Sequence, residues 1–330
     1  MKIALCFIIS YEHILNKEEI WREWIDFNKD IINIYFYYKD IKKIKSKWIL
    51  EHTIPINYIR ETSYYHVIPA YLSLMNYALV HDINNTWCCI LTDSCCPIIS
   101  PKKFRYLFYN YYNKSIISWK KAWWNKDFHK RANLHKLPKE LHLGNDPWFV
   151  IKRENMLQIL HFVNVQKDVT KLICNGGLAN ESLFAIILYS YKQLNTANTN
   201  NSPVISATTH IADWNRMVSA TSPHLFKEGN EKDIQFINNM EIAKDSSSNK
   251  YIMFIRKVSP EFPDTILRYY IYEKNKDNDD KLSVREPLLF IYNRYKKYIN
   301  LSCIYGLPII ILLYLYLNFY NTMYKTSKIN

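Results

Sequence analysis

Between residues 2 and 163, apolar runs of strand length alternate with longer runs whose apolar residues recur at helical spacing. Residues 2–9 read as a buried strand, and 17–28 as a helix with Ile20, Trp21, Trp24 and Ile25 on one face. Residues 31–38 read as a second strand, 40–48 as polar and helix-compatible, and 54–59 as a short strand or extended link. A strong helix is expected at 67–80, a β-rich run at 86–91, a helix at 102–111 and a short strand at 116–119. The stretch to Gly144 reads as loop, 147–151 as a strand and 153–163 as a helix. Strands separated by helices point to an α/β layer around a mostly parallel central sheet. Ligands of such sheets sit beyond the carboxyl ends of the strands. Asp40, Asp93 and Trp119 close or follow apolar runs, which assigns them to those ends.

The chain has 330 residues, 48% of them hydrophobic, enough for a full core in one large domain or two closely joined ones. Its formal net charge is +13, but the lysines are spread along the chain without a basic arm or an RNA-binding signature. Nucleic acid is therefore not an expected partner. The seven cysteines include two adjacent pairs, Cys88/Cys89 and Cys95/Cys96, in place of Cys-x-x-Cys clips, and no His/Cys spacing suits zinc. Buried free thiols in an apolar run point to a reducing compartment.

From 298 to 324 there is no charged residue, and 301–320 is almost wholly apolar. That length crosses a bilayer. Arg294, Lys296 and Lys297 precede it, Lys325 and Lys328 follow, and tyrosines lie near both ends. The expected organisation is a domain at 1–272, a charged linker at 273–297, a single membrane-spanning anchor at 298–324 and a short tail at 325–330. The N-terminal apolar run is short and meets Glu12 and His13 where a cleavage region would sit, so it is read as a strand instead of a signal peptide. With the basic flank before the anchor, this favours a cytosolic domain; a lumenal orientation in the ER or Golgi stays open.

Residues 175–185 read Asn-Gly-Gly-Leu-Ala-Asn-Glu-Ser-Leu-Phe-Ala. The glycines suggest a turn, Asn180 a helix cap, and Glu181 an acid favoured in the first turn by the helix dipole. Taken alone, this is a capped helix start. Four further stretches accompany it: the run 81–98 ending in Thr-Asp-Ser-Cys-Cys-Pro-Ile, Leu143-Gly-Asn-Asp-Pro-Trp-Phe-Val-Ile-Lys-Arg-Glu, Ser222-Pro-His, and Met253-Phe-Ile-Arg-Lys-Val. Together and in this order they resemble the core-2/I-branching β-1,6-N-acetylglucosaminyltransferases, with the closer likeness to the plant-type branch.

The resemblance implies a GT-A fold and inverting transfer of a sugar, N-acetylglucosamine first among the candidates, from a UDP-sugar to a glycan or glycoprotein hydroxyl. Xylosyltransferases share the family, so the donor stays open. It implies Glu181 as general base and no metal or other cofactor, with basic side chains stabilising UDP. Lys257 carries over by position with Arg256 beside it, and Lys227 is a looser counterpart. Asp40 is expected near the nucleoside, Tyr64 or Tyr65 near uracil, and Asp93 near the donor sugar. Trp119, Trp123 and Trp124 are candidate stacking surfaces for an acceptor, joined by Lys130, Arg131 and Trp214. Trp148 is assigned to the core. The Asp-x-Asp string at 277–279 lies in the charged linker and is not taken as a metal site. Two other readings remain: an inactive sugar-binding or scaffold relative on a membrane, and a basic peripheral protein on a polyanion.

Overall fold

The computed structural model describes residues 1–283 apart from 10, 126, 195–201 and 243–248. They fall in one unit, Met1–Val284. Its strands are β1 (Lys2–Ile8), β2 (Ile32–Tyr37), β3 (Asn85–Thr92), β4 (Cys96–Pro97), β5 (Ser115–Ile116), β6 (Trp119–Lys121), β7 (Leu143–Asn145), β8 (Val150–Lys152), β9 (Val204–Ile205), β10 (His210–Ile211) and β11 (Phe254–Ile255). The helices are α1 (Glu18–Asp26), α2 (Lys47–Glu51), α3 (Ile68–His81), α4 (Pro101–Tyr111), α5 (Arg153–Val165), α6 (Lys167–Cys174), α7 (Leu183–Ser190), α8 (Glu231–Ile242), α9 (Asp264–Arg268) and α10 (Lys276–Asp280).

The central sheet has the order β2-β1-β3-β8-β5-β9, with β8 antiparallel to both neighbours and every other pair parallel. β1 is apolar at nearly every position because both of its faces are covered. Ile3, Leu5 and Phe7 join Trp21 and Trp24 of α1 and Phe104 of α4 on one side. Ala4, Cys6 and Ile8 join Leu74 and Met75 of α3 and Phe184 of α7 on the other. Truncating a fully buried leucine such as Leu5 or Leu74 to alanine removes about 2–5 kcal/mol of stability. A smaller sheet, β10-β11-β4, and the antiparallel pair β6-β7 flank the main one.

This topology gathers loops at one edge. β1 and β3 run side by side and parallel while β2 lies beyond β1, so the strand order reverses between β1 and β3. Tyr11, Lys39 and Asp93 follow the three strands out of that edge. β8 runs the opposite way, which brings its leading Pro147 and Trp148 to the same place.

Several local expectations change. Residues 54–59 hold a 3-10 turn, Ile56–Tyr58, set off by Pro55, whose ring fixes φ. The run 116–119 divides: β5 stays in the main sheet, while Trp119 leaves it to pair with Asn145 in β7. Residues 275–280, expected within the charged linker, are mostly exposed but take regular structure. They include α10, whose buried Asp279 accepts a hydrogen bond from the Ser100 hydroxyl at the start of α4. No described helix is long and apolar enough to cross a membrane. The expected anchor at 298–324, its tail and the linker from 284 onward lie outside the described residues.

Candidate active site

Two cavities open at the strand edge and meet. The smaller, about 360 Å³, is lined by Lys39, Tyr64, Tyr71, Asp93, Arg256 and Lys257 among others. The larger, about 660 Å³, is lined by Lys120, Trp123, Trp124, Arg131, Asp146 and His210 among others. Pro147, Trp148, Glu181, Trp214 and Thr221 line both.

Glu181 reaches this junction by a route that local sequence rules do not give. Neither glycine of 176–177 takes a left-handed conformation; Leu178 does, at φ 56°. The glycines are needed for close approach, since a Cβ on either would meet the backbone of residues 129–133. The Leu178 amide donates to the Tyr65 carbonyl at 2.9 Å, and a 3-10 turn over Ala179–Glu181 precedes α7. Asn180 does not cap α7. Buried Asn145 does: its Oδ1 accepts from the Ala185 amide at 3.1 Å, and its Nδ2 donates to the Asn180 carbonyl at 2.9 Å. The backbone on either side of Glu181 is thus fixed from β7, across the chain.

Arg131 Nη1 lies 3.6 Å from Glu181 Oε2. The Arg131 guanidinium sits over the Trp124 ring, 5.2 Å from its centroid. Burial pushes the Glu181 pKa above the ordinary carboxylate range; Arg131 opposes the rise and Asp146 adds to it. A carboxylate shifted this way is a stronger base once ionised.

The cations of the smaller cavity follow directly on β11. The Arg256 amide donates to the Ile211 carbonyl, and the Lys257 carbonyl accepts from the Phe226 amide, so both residues are held by backbone pairing. Arg256 is 5% exposed. Its guanidinium lies 3.3 Å from the Trp148 ring centroid, and its buried Nε and Nη1 make no hydrogen bond. Burial lowers the Arg256 pKa, and burial and then Arg256 lower that of Lys257. Lys257 Nζ donates to Ser222 Oγ at 2.8 Å. Asp93 is pushed up by burial and pulled back by Arg256. An anion entering here would meet buried positive charge and unsatisfied N–H groups. Among the described residues no group of three His, Cys, Asp or Glu side chains is arranged to hold a metal ion.

The model of the core-2/I-branching enzyme family matches residues 35–244, well over half of the chain. The chain belongs to this family. Its members are glycosyltransferases, and the chain is one. No curated protein matches it in a direct sequence comparison. The mixed α/β fold with its mostly parallel sheet is consistent with a GT-A-like architecture.

The matched span of this glycosyltransferase covers Asp93, Trp148, Glu181 and Trp214 and ends before Arg256 and Lys257. The structure brings Glu181, Arg256, Lys257, Tyr64, Asp93, Trp124, Arg131 and Trp214 to the cleft. Asp40, Lys227, Trp119 and Lys130 lie elsewhere. The Asp40 carboxylate accepts from the Lys42 amide and caps a 3-10 turn, while its neighbour Lys39 lines the smaller cavity. Lys227 is exposed, next to buried Phe226. Trp119 packs against the buried core. Lys130 is exposed and lines neither cavity. Tyr65 stacks on His129, 4.4 Å between centroids, leaving Tyr64 as the cleft tyrosine. Trp148, assigned to the core, lines both cavities. The cleft also holds Asp146 and His210; Asp146 lies in the stretch 143–154 that carries the resemblance, whereas nothing in the sequence marks His210.

Proposed function

We propose that the enzyme is an inverting glycosyltransferase that moves a sugar, N-acetylglucosamine first among the candidates, from a UDP-sugar to an acceptor hydroxyl. Glu181 takes the acceptor proton as the acceptor oxygen bonds to the anomeric carbon. The bond from that carbon to the diphosphate breaks, and UDP leaves with the electron pair. Arg256 and Lys257 offset the charge on the leaving group in place of a metal. The donor occupies the smaller cavity, with Tyr64 and Asp93 beside it, and the glycan acceptor occupies the larger one against Trp124, Arg131 and Trp214.

The observation that carries this reading is Glu181 at the junction, with an aromatic cavity on one side and buried Arg256 beside half-buried Lys257 on the other. The ordered motifs support the plant-type branch, and xylose is the alternative donor. The apolar stretch 301–320 and its basic flanks support a C-terminal membrane anchor with the catalytic domain on the cytosolic side. The test is a donor screen with several UDP-sugars on the full chain, with and without EDTA. Release of UDP from one donor, undiminished by EDTA, is expected. Activity abolished by EDTA would overturn the metal-free step, and no release from any UDP-sugar would overturn the donor assignment.

A further inference from the structure

Residues 213–224 form a strap across the mouth of the cleft, and both of its ends are tied to one buried carboxylate. At the base, the His224 amide donates to the Asp213 carbonyl at 2.9 Å. The Asp213 side chain accepts from the Asn215 and Arg216 amides and from Arg216 Nε. Arg216 Nη1 donates to Asp233 Oδ1 at 2.9 Å, and His224 Nε2 lies 2.9 Å from the same oxygen. Asp233, on α8, is 1% exposed. Between these ties the strap carries Trp214 and Thr221, which line both cavities. Its tip is a tight turn in which the Val218 and Ser219 amides donate to the Ser222 carbonyl and the Ser222 amide donates to the Ser219 carbonyl. That turn fixes the Ser222 hydroxyl, which accepts from Lys257 Nζ at 2.8 Å.

We propose that Ser222 is a positioning residue that holds the Lys257 ammonium at the smaller cavity and ties it, through the strap, to Trp214 at the junction with the larger one. A lysine has a flexible four-carbon stem, and immobilising it on binding an anion costs entropy. Holding the ammonium in advance removes part of that cost. The ammonium carries three N–H donors. Ser222 uses one, and the others remain for an anion. An anion that engages them restrains the ammonium, the turn and the rest of the strap together, so filling the donor side tightens the acceptor side. This rests on the reading that Lys257 meets the diphosphate.

The decisive pair is S222T and S222V, which have the same shape and differ by the hydroxyl. UDP is the probe on the full chain. In the wild type, UDP is expected to slow hydrogen exchange at the Val218, Ser219 and Ser222 amides. S222T is expected to match the wild type. S222V is expected to bind UDP about three- to tenfold more weakly, with strap exchange that no longer responds. Equal UDP affinity and equal strap protection in the two variants would overturn the proposal. The rate of Lys257 acetylation by an activated ester, measured without nucleotide, gives a separate readout: S222V is expected to react faster than S222T, and equal rates would overturn the hold itself. Failure of the wild type to bind UDP would instead overturn the donor reading, leaving the acetylation rates to decide whether Ser222 holds Lys257.

Discussion

The smaller cavity draws about half of its lining from the ends of β1, β2, β3 and β11 and the start of β8, the rest coming from 62–71, 178–181 and 214–223, whereas the larger draws most of its residues from the segments 123–146 and 206–221. In the first, backbone pairing fixes the reacting groups: the amide of Arg256 and the carbonyl of Lys257 are both engaged. In the second, rings and one guanidinium hold one another, with Trp123 and Trp124 4.4 Å apart and Arg131 over Trp124. A site built on strand ends keeps its geometry when surface loops change, while a site built on connections varies with them. On the proposed assignment of donor and acceptor, that division suits an enzyme whose nucleotide is constant and whose acceptor is particular.

The sharpest break of the comparison is at the junction. Glu181→Gln is expected to lower turnover by about 10²–10⁴-fold while leaving UDP affinity near that of the wild type. Normal turnover in steady-state assays would remove Glu181 as the base. Next, Lys257→Ala is expected to weaken UDP binding by about ten- to a hundredfold, read by calorimetry. An effect on acceptor KM alone would place the cation on the wrong side.

The pH profile separates the two cavities further. Burial raises the Glu181 pKa, so kcat/KM is expected to fall as pH drops through a value above the ordinary carboxylate range. Asp146, from the larger cavity, adds to that rise and Arg131 opposes it. Asp146→Asn is therefore expected to move the acid limb to lower pH, and Arg131→Met to move it higher. An unmoved limb in both would disconnect the larger cavity from the base. The smallest effect is expected at Asp40, whose carboxylate caps a turn outside both cavities. Asp40→Ala is expected to cost about 0.5–1 kcal/mol of stability in thermal unfolding, with UDP affinity unchanged within about a factor of two. A large loss of UDP binding would move the nucleoside to that side of the edge.

The sheet was legible because β1, β2 and β3 are apolar enough to be buried on both faces, and each is followed by polar residues. Asp93 could be placed for the same reason. The cap on α7 was not legible: Asn180 has the right type and place for it, yet the donor and acceptor come from Asn145, 40 residues away. Trp148 looked like core because its apolar neighbours Phe149 and Val150 are core. Only the antiparallel direction of β8 puts it at the ligand edge. The segment 128–136 escaped a sequence reading for a different reason. Its backbone takes left-handed conformations at His129, Lys130, Ala132 and Asn133, none of them glycine, so no local signal marks its path past Gly176 and Gly177.

Gly144 leaves the room that the aromatic wall of the larger cavity occupies. A Cβ at this position would collide with the Trp124 ring and come within 2.9 Å of Trp123. The aromatic wall therefore stands where it does because one residue lacks a side chain. A side chain there would displace the aromatic wall of the larger cavity while the strand ends that line the smaller one kept their sequence.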